Sequence, residues 1–214
     1  MVVEVTLRMA TKKSKPKPNV TEKNFVLCIC GMAGTGKSTL SKKIAEKYGL
    51  KYFSGGDALK ALAIKQGYDA AKEGWWESPE GLKFLAQREK DPQFDKAVDD
   101  KLLEYANKGN VLLDSWTMPW LLKGGFKIWL MASLQKRAER VAVRDKLTLK
   151  EAFDVLEEKE SKTKAIYREL YGFTLGEDLA PFDFVLDTDN LCADEVFRVI
   201  CNVLNNVVFF KNKA

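Results

Sequence analysis

Residues 31–38 read Gly-Met-Ala-Gly-Thr-Gly-Lys-Ser and fit the pattern G-x-x-x-x-G-K-[ST] at every fixed position. The chemistry of this pattern is phosphate binding, because its glycines let the backbone fold so that successive amide N–H groups point at phosphate oxygens. In such a loop Lys37 reaches the β- and γ-phosphates and the Ser38 hydroxyl binds Mg²⁺. We therefore predict a site for ATP and Mg²⁺, with nucleotide contacts from Gly31, Met32, Ala33, Gly34, Thr35, Gly36, Lys37, Ser38 and Thr39.

The segments on both sides of this loop are those that phosphate binding requires. Residues 24–30, Asn-Phe-Val-Leu-Cys-Ile-Cys, are a nearly continuous apolar run, which is typical of a buried parallel strand. After the loop, Leu40, Ile44 and Tyr48 recur at helical spacing, and Gly49 favours a helix end. The loop is therefore predicted to join a strand to a helix N-terminus, whose dipole attracts anions.

Composition narrows the chemistry further, because the chain contains no histidine. This absence excludes Ser-His-Asp and Cys-His catalysis and every histidine-based metal site. The four cysteines, Cys28, Cys30, Cys192 and Cys201, form no C-x-x-C pair, so a zinc or redox motif is not supported. Phosphoryl transfer remains well suited, since its catalysis consists mostly of positioning and charge stabilisation by cations.

Charge and hydropathy restrict the partners of the chain. Its length of 214 residues and 46% hydrophobic content suit one domain with a sizeable core. The net charge of +5 lies mostly in residues 1–23, which carry six basic residues against two glutamates, so the body is not a nucleic-acid platform. We expect this tail to be disordered and solubilising, with RNA or membrane contact as the alternative. No apolar stretch approaches the roughly 20 residues of a membrane span, so we expect a cytoplasmic protein.

Strand and helix patterns alternate along the rest of the chain, and this order predicts a parallel sheet with helices on both faces. Ser133 is predicted to cap a helix, and Thr148 with Glu151 forms a capping-box pattern at the start of another. The predicted strands are 24–30, 50–53, 111–113, 126–131 and 182–186. The predicted helices are 38–48, 58–66, 80–88, 93–107, 134–144, 148–171 (with or without a break) and 194–209.

Charged residues next to these elements are candidates for the site. Asp114 ends an apolar strand, where a carboxylate can support Mg²⁺ beside Ser38. Arg137, Arg140 and Arg144 share one helix face, which indicates either phosphate contacts or a solvated basic stripe.

Two further groups leave more than one interpretation open. The highly charged segment 145–168 fits a helical hairpin that closes over nucleotide, and a solvated helix fits it as well. Four tryptophans outside the strands could stack on a nucleobase or fill gaps between helices, and Trp116 is the favoured stacking residue; the four are Trp75, Trp76, Trp116 and Trp120.

From residue 25 to about 207 the chain resembles the archaeal-type cytidylate kinases, which belong with the adenylate kinases to the nucleoside monophosphate kinases. The resemblance covers most of the chain and is more specific than the phosphate loop. It rests on YFSGGDALKALA at 52–63, DPQFD at 91–95 with Asp99, GNVLLD at 109–114, IWL at 128–130 with RAER at 137–140, YRELYG at 167–172 and FDFVLDT at 182–188.

This resemblance implies a kinase domain over residues 24–214, with the fold of a P-loop NTPase built on a five-stranded parallel sheet. It implies transfer of the γ-phosphoryl group of ATP to CMP or dCMP with Mg²⁺, by a monomer or homodimer. Residues 54–108 are expected to bind the monophosphate and residues 144–172 to form a lid. The expected catalytic residues are Lys37, Arg137, Arg140 and Arg144; the expected acceptor contacts are Gly56, Asp57, Lys60, Asp95, Asp99 and Trp116; the expected metal ligands are Ser38 and Asp114.

The chain departs from the family pattern where arginines usually grip phosphates. Lys60 and Lys159 stand at such positions, Ile166 stands at another, and Ser115-Trp116 follows the strand-end acid where Gly-Arg is expected. Lysine is a point charge and cannot reproduce the bidentate fork of a guanidinium group. Two alternatives follow: an ATP-binding regulator or assembly factor that has lost transfer, and a kinase with a changed small-molecule acceptor.

Overall fold

The protein is described by a computed structural model over residues 25–72, 74–91 and 93–209. The predicted basic tail, residues 1–23, lies outside the described residues. Five strands form one parallel sheet in the order β2-β3-β1-β4-β5, which confirms the predicted fold class. The strands are β1 Val26–Gly31, β2 Lys51–Ser54, β3 Val111–Asp114, β4 Phe126–Met131 and β5 Phe184–Asp187.

Helices connect successive strands and cover both faces of the sheet. They are α1 Lys37–Tyr48, α2 Gly55–Lys65, α3 Pro79–Lys90, α4 Gln93–Lys108, α5 Met118–Leu121, α6 Leu134–Asp145, α7 Leu149–Tyr171 and α8 Ala193–Val203. A 3₁₀ turn, Trp75–Glu77, precedes α3, and a π-helical segment, Leu204–Phe209, continues α8. The chain therefore has the alternating strand and helix order that its sequence predicts.

The register of the central strands brings polar residues to one edge of the sheet. Asp114 pairs with Ile29 of β1 and with Ser54 of β2, while Gly31 pairs with Leu130 of β4. Because all five strands are parallel, their carboxyl ends lie at the same edge, where ligands bind in open α/β sheets. The phosphate loop, which follows Gly31, therefore begins beside Asp114.

Alternate side chains of the buried strands pack into different layers. Leu27 and Ile29 of β1 pack with Ile44 of α1 and Ile200 of α8 on one face. Cys28 packs with helices α2 and α4 on the other face. Cys28 and Cys30 are fully buried and behave as small core residues, as predicted.

Several element boundaries differ from the prediction for local reasons. Helix α2 begins three residues early, because the Ser54 hydroxyl accepts a hydrogen bond from the Asp57 amide at 3.1 Å and caps the helix. Strand β5 begins at Phe184, two residues late, since Phe182 packs its ring on Trp129. Helix α7 runs without a break for 23 residues from its Thr148 capping box.

None of the described helices combines the length and the apolar content that crossing a bilayer needs.

Two isoleucines offer a matched test of where the stability of this fold resides. Ile44 in α1 is fully buried, whereas Ile64 in α2 is 49% exposed. We expect Ile44→Ala to lower the free energy of unfolding by about 2–5 kcal/mol, because it removes buried methylene groups and leaves a cavity. Ile64→Ala should change it by less than about 0.5 kcal/mol. Urea unfolding of both variants checks this, and equal losses would contradict the described layering.

Candidate active site

A cleft of about 400 Å³ opens at the carboxyl edge of the sheet. Its walls are the phosphate loop, the start of α2, the 3₁₀ turn, helices α3 and α4, and one face of α7. The predicted site residues that line it are Ala33, Gly34, Lys37, Ser38, Thr39, Gly56, Asp57, Lys60, Asp95, Asp99, Asp114, Trp116 and Arg144. The structure thus brings together most residues that the sequence analysis selected from distant parts of the chain.

The phosphate loop is held tightly between β4 and α6. A Cβ atom on Gly31 would lie 2.6 Å from the Leu130 carbonyl oxygen, and one on Gly34 would lie 2.8 Å from the Arg137 carbonyl oxygen. Only glycine fits at these two positions, since real Cβ contacts are never that short. The Thr35 hydroxyl closes the loop by donating to the Met32 carbonyl at 2.9 Å. The backbone of the loop is therefore held in place by its contacts with β4, with α6 and with the Thr35 side chain.

Lys37 and Trp116 contact each other at the mouth of this loop. The Trp116 indole N–H donates to the Gly31 carbonyl oxygen at 2.6 Å. The Lys37 ammonium nitrogen lies 5.3 Å from the centre of the Trp116 ring, which is a cation–π distance. Trp116 thus links the loop to the segment that follows β3, and its predicted stacking on a nucleobase stays a prediction.

Ser38 and Asp114 line the same cleft, and their predicted role as oxygen ligands of Mg²⁺ stays a prediction. Asp114 is buried and accepts a hydrogen bond from the Tyr52 hydroxyl at 3.1 Å. Burial, reinforced by the negative charge of Asp114, raises the pKa of Tyr52 and keeps this donor protonated. Among the described residues no group of three or more acidic, cysteine or histidine side chains could hold a metal by itself.

The wall opposite the phosphate loop carries a buried ion pair. Arg88 of α3 contacts Asp95 of α4 through two hydrogen bonds, Nε to Oδ2 at 3.0 Å and Nη2 to Oδ1 at 2.6 Å. Both side chains are at most 4% exposed. The Trp76 ring lies beside them, with the Arg88 guanidinium 5.8 Å from its centre. This wall therefore presents a charged pair and an aromatic face to the cleft.

Asp99 lies one turn further along α4, and its carboxylate is enclosed. It accepts hydrogen bonds from the Thr117 hydroxyl at 2.5 Å and from the Tyr171 hydroxyl at 2.6 Å. Burial raises the pKa of Asp99 to about 6, although both hydrogen bonds act in the opposite direction. Since Tyr171 ends α7, Asp99 joins the predicted lid to the wall formed by Arg88, Asp95 and Trp76, which we call the acceptor wall after its predicted role.

Gly56, Asp57 and Lys60 lie together in the first turns of α2. The Lys60 ammonium group donates to the Lys72 carbonyl oxygen at 3.4 Å and lines the cleft. Lys60 therefore places a cation in the same cleft as the phosphate loop. Its contact with an acceptor phosphate stays a prediction.

The predicted lid segment is one long helix that packs on α6 and α3. Its buried face includes Leu156, Lys159, Thr163, Ile166 and Tyr167, so it is not a solvated helix. It also contains no internal hairpin. The segment covers one side of the cleft, and whether it closes over nucleotide stays a prediction.

Arg137 and Arg140 do not line the cleft, although they share a face of α6 with Arg144. The Arg137 guanidinium is buried, donates to the Ala33 carbonyl oxygen at 3.2 Å and pairs with Glu160 of α7. Arg140 donates to the Thr188 carbonyl oxygen at 2.8 Å. Both arginines therefore brace the elements around the phosphate loop, and their direct catalytic roles stay predictions.

Two of the four tryptophans pack mainly against other aromatic and apolar side chains. Trp75 is 2% exposed within the layer between α2, α3 and α4, at the edge of the cleft. Trp120 stacks on Phe173 with ring centres 4.0 Å apart and planes at 1°. Trp76 and Trp116 remain as aromatic faces of the cleft.

Sequence reasoning missed several cleft residues, among them Glu77, Arg88 and Thr163. Arg88 stands in an ordinary polar helical segment, and its partner Asp95 belongs to the next helix, so no spacing connects them. Glu77 follows two tryptophans in a segment predicted as a loop. The one available signal was the Asp91-Pro92 break, which separates two helices and allows them to face each other.

Comparisons with known proteins agree with this geometry. A profile described as the cytidylate kinase-like family matches residues 26–190. The chain is 34% identical to the cytidylate kinase of Pyrococcus horikoshii over 177 residues, and this alignment covers 82% of the chain and 86% of that protein. It is 32% identical to the cytidylate kinase of Methanocaldococcus jannaschii over 188 residues, and this alignment covers 86% of the chain and 99% of that protein.

Solved structures share the fold at low identity. Shikimate kinase from Bacteroides thetaiotaomicron aligns with a TM-score of 0.52 and 14% identity, over 85% of this chain and 96% of that chain. Deoxyadenosine kinase from M. mycoides, solved with bound dATP, aligns with a TM-score of 0.50 and 20% identity, over 85% of this chain and all of that chain. These similarities show the fold alone.

Asp99 gives a pH-dependent test of this wall. Its pKa is about 6 in the folded protein and about 4 in an unfolded chain, so folding favours its protonated form. The contribution of Asp99 to the free energy of unfolding should therefore fall by about 3 kcal/mol as pH rises from about 4 to about 6. Asp99→Asn should remove this slope, whereas Asp100→Asn, at an exposed neighbour, should retain it.

Urea unfolding between about pH 4 and pH 7 measures both variants against the unmodified protein. Parallel stability curves for the unmodified protein and Asp99→Asn would show that the Asp99 carboxylate is not enclosed as described.

Proposed function

This chain belongs to the cytidylate kinase-like family, and we propose that it transfers the γ-phosphoryl group of ATP to CMP or dCMP with Mg²⁺. The observation that carries the proposal is a single cleft that is lined both by the phosphate loop and by the Arg88–Asp95 pair. A donor site and an acceptor site in one cleft would permit direct transfer between two bound nucleotides.

The donor half of the proposal uses the phosphate loop. Its amides and Lys37 bind the β- and γ-phosphates, and Lys37 neutralises charge that develops during transfer. Ser38 and Asp114 would hold Mg²⁺, Asp114 directly or through water. The bound ion would supply positive charge that offsets the negative charge of the phosphates. Arg137, which braces the loop from behind, keeps the amides oriented.

The acceptor half is supported by the hydrogen-bonding capacity of the Arg88–Asp95 pair. A carboxylate has about four acceptor positions and a guanidinium group five N–H donors, so neither is used up by the two bonds between them. The edge of cytosine presents an amino donor beside two acceptors, which complements such a pair. Uracil presents a carbonyl oxygen where cytosine has the amino group, and this oxygen would face a carboxylate. The Trp76 ring provides a stacking surface for the base.

The chemical step needs no general base. The attacking atom is an already ionised oxygen of the acceptor phosphate, which forms a bond to the γ-phosphorus while the bond from that phosphorus to the β–γ bridging oxygen breaks. The products are ADP and a nucleoside diphosphate. Asp57 and Lys60 orient the acceptor, and Arg144 and the lid helix exclude water from the transfer site.

A panel of acceptors tests the proposal. The protein is incubated with ATP, Mg²⁺ and each nucleoside monophosphate in turn, and diphosphate products are separated and quantified. We expect CMP or dCMP to be the preferred acceptor. If no monophosphate increases the release of ADP, the proposal is contradicted. Tight ATP binding in calorimetry without CMP binding would favour the alternative of a regulator that has lost transfer.

Lys37 provides the second test. Lys37→Ala should lower kcat/KM for ATP by about 10²- to 10³-fold or more, because it removes a cation that contacts the transferring group. Lys43→Ala is the matched control, since Lys43 lies on the same helix, is exposed and pairs only with the exposed Asp194 at the surface. Steady-state assays and thermal melting of both variants separate loss of activity from loss of fold. Near-normal turnover by Lys37→Ala would show that the assignment of the phosphate loop is wrong.

A further inference from the structure

Glu77 is a buried acid on which two cations from the other side of the cleft converge. Its Oε1 lies 2.6 Å from the Lys159 ammonium nitrogen of α7, and its Oε2 lies 2.9 Å from Arg144 Nη2 at the end of α6. The Glu77 side chain is 5% exposed. Glu77 belongs to the 3₁₀ turn before α3, so it connects the acceptor wall to the segment expected to form the lid.

Lys159 occupies a position where an ammonium group is difficult to keep charged. Burial lowers its pKa, and the positive charges of Lys37 and Arg144 lower it further, whereas Glu77 raises it. The Trp76 ring centre lies 5.5 Å from its ammonium nitrogen. Glu77 is therefore the carboxylate that maintains the charge of Lys159.

Thr163 extends this polar face one turn further along α7. Its hydroxyl oxygen is buried, lines the cleft and has no hydrogen-bond partner among the described residues. Residues four apart lie on the same helix face, so Lys159 and Thr163 point in the same direction. A buried hydroxyl without a partner is costly, and a ligand oxygen in the cleft would satisfy it.

We propose that Glu77 is a positioning residue, which keeps Lys159 charged and, together with Asp145, orients Arg144 over the cleft so that both cations contact phosphoryl oxygens together with Thr163. The proposal rests on the proposed phosphoryl transfer and names the groups that act in it from the lid side. The Lys159 ammonium group has three N–H donors, of which Glu77 takes one, so two remain for phosphoryl oxygens.

This arrangement gives Lys159 two properties that an arginine, which the family resemblance predicts at this position, would have by itself. A guanidinium group is charged at any ordinary pH and is oriented by its own planar shape. A buried lysine has neither property and depends on its neighbours for both. Glu77 supplies charge stabilisation and direction at once, which explains why an acid is tolerated in a cleft built for phosphates.

The pH dependence of turnover tests the proposal. The groups that face Lys159 are Glu77 from the turn, Lys37 from α1 and Arg144 from α6. Glu77→Gln keeps the shape and removes the charge, so kcat for CMP at about pH 8 should fall about tenfold. The alkaline limb of its pH profile should shift to lower pH by about one unit or more, because Lys159 loses its proton at a lower pH.

Restoring the charge gives a second arm of the experiment. In Glu77→Gln with Lys159→Arg, the side chain at 159 stays protonated, so the alkaline limb should disappear and kcat should recover about threefold or more relative to Glu77→Gln. Glu158→Gln is the matched control, because Glu158 is exposed and pairs with Lys162 on the same helix. Its profile should superimpose on that of the unmodified enzyme.

The kinetic test can also overturn the proposal. This happens if kcat of Glu77→Gln falls equally at every pH, the alkaline limb does not shift and the double variant shows no recovery. Glu77 would then have only a structural role.

An NMR titration of isotope-labelled lysine gives a readout independent of turnover. The pKa of Lys159 should be lower in Glu77→Gln than in the unmodified protein, and an unchanged value would overturn the proposal. Absence of turnover in the unmodified enzyme, by contrast, would count against the proposed function, and the titration would still decide the effect of Glu77.

Discussion

Buried charge that must be paired is the constraint on which this cleft depends. Three ion pairs with little exposure to solvent each join two different elements: Arg88 of α3 with Asp95 of α4, Lys159 of α7 with Glu77 of the 3₁₀ turn, and Arg137 of α6 with Glu160 of α7. Removing water from such groups costs several kcal/mol for each ion, and loss of one partner leaves the other uncompensated. The pairs therefore fix how the helices around the cleft lie relative to one another, in addition to any charge they offer to substrates.

The sheet places the donor site within this frame. Strands β1 and β3 are parallel neighbours, so the phosphate loop and Asp114 emerge side by side. Close contact of Gly31 with β4 and of Gly34 with α6 leaves the loop little freedom. Preorganised amides act on phosphate charge without a cost of reorganisation during the reaction. The same contacts bring Arg137 behind the loop, where it acts as a brace.

The departures from the family pattern become intelligible when the cleft is considered as a whole. Lys60 and Lys159, at positions where the family resemblance predicts arginine, line the cleft with Lys37. Arg88, which carries no sequence signal, adds a guanidinium group to the acceptor wall. These cations depend on acids such as Glu77 and Asp95, because a buried lysine or arginine needs a partner that orients it.

The sequence by itself determined the fold class, the phosphate loop, the strand-end Asp114 and most helix boundaries, because these depend on local patterns of hydropathy, glycine and capping residues. Through the resemblance of the chain to a family, it also selected Asp95 and Asp99 as expected acceptor contacts. Only the tertiary structure decided which charges meet. Arg88 and Asp95 belong to different helices, Glu77 and Lys159 are 82 residues apart, and Arg137 turns toward the phosphate loop although it shares a helix face with Arg144. Such pairs arise from the packing of whole elements, and no periodicity within one segment records which partner lies across the cleft.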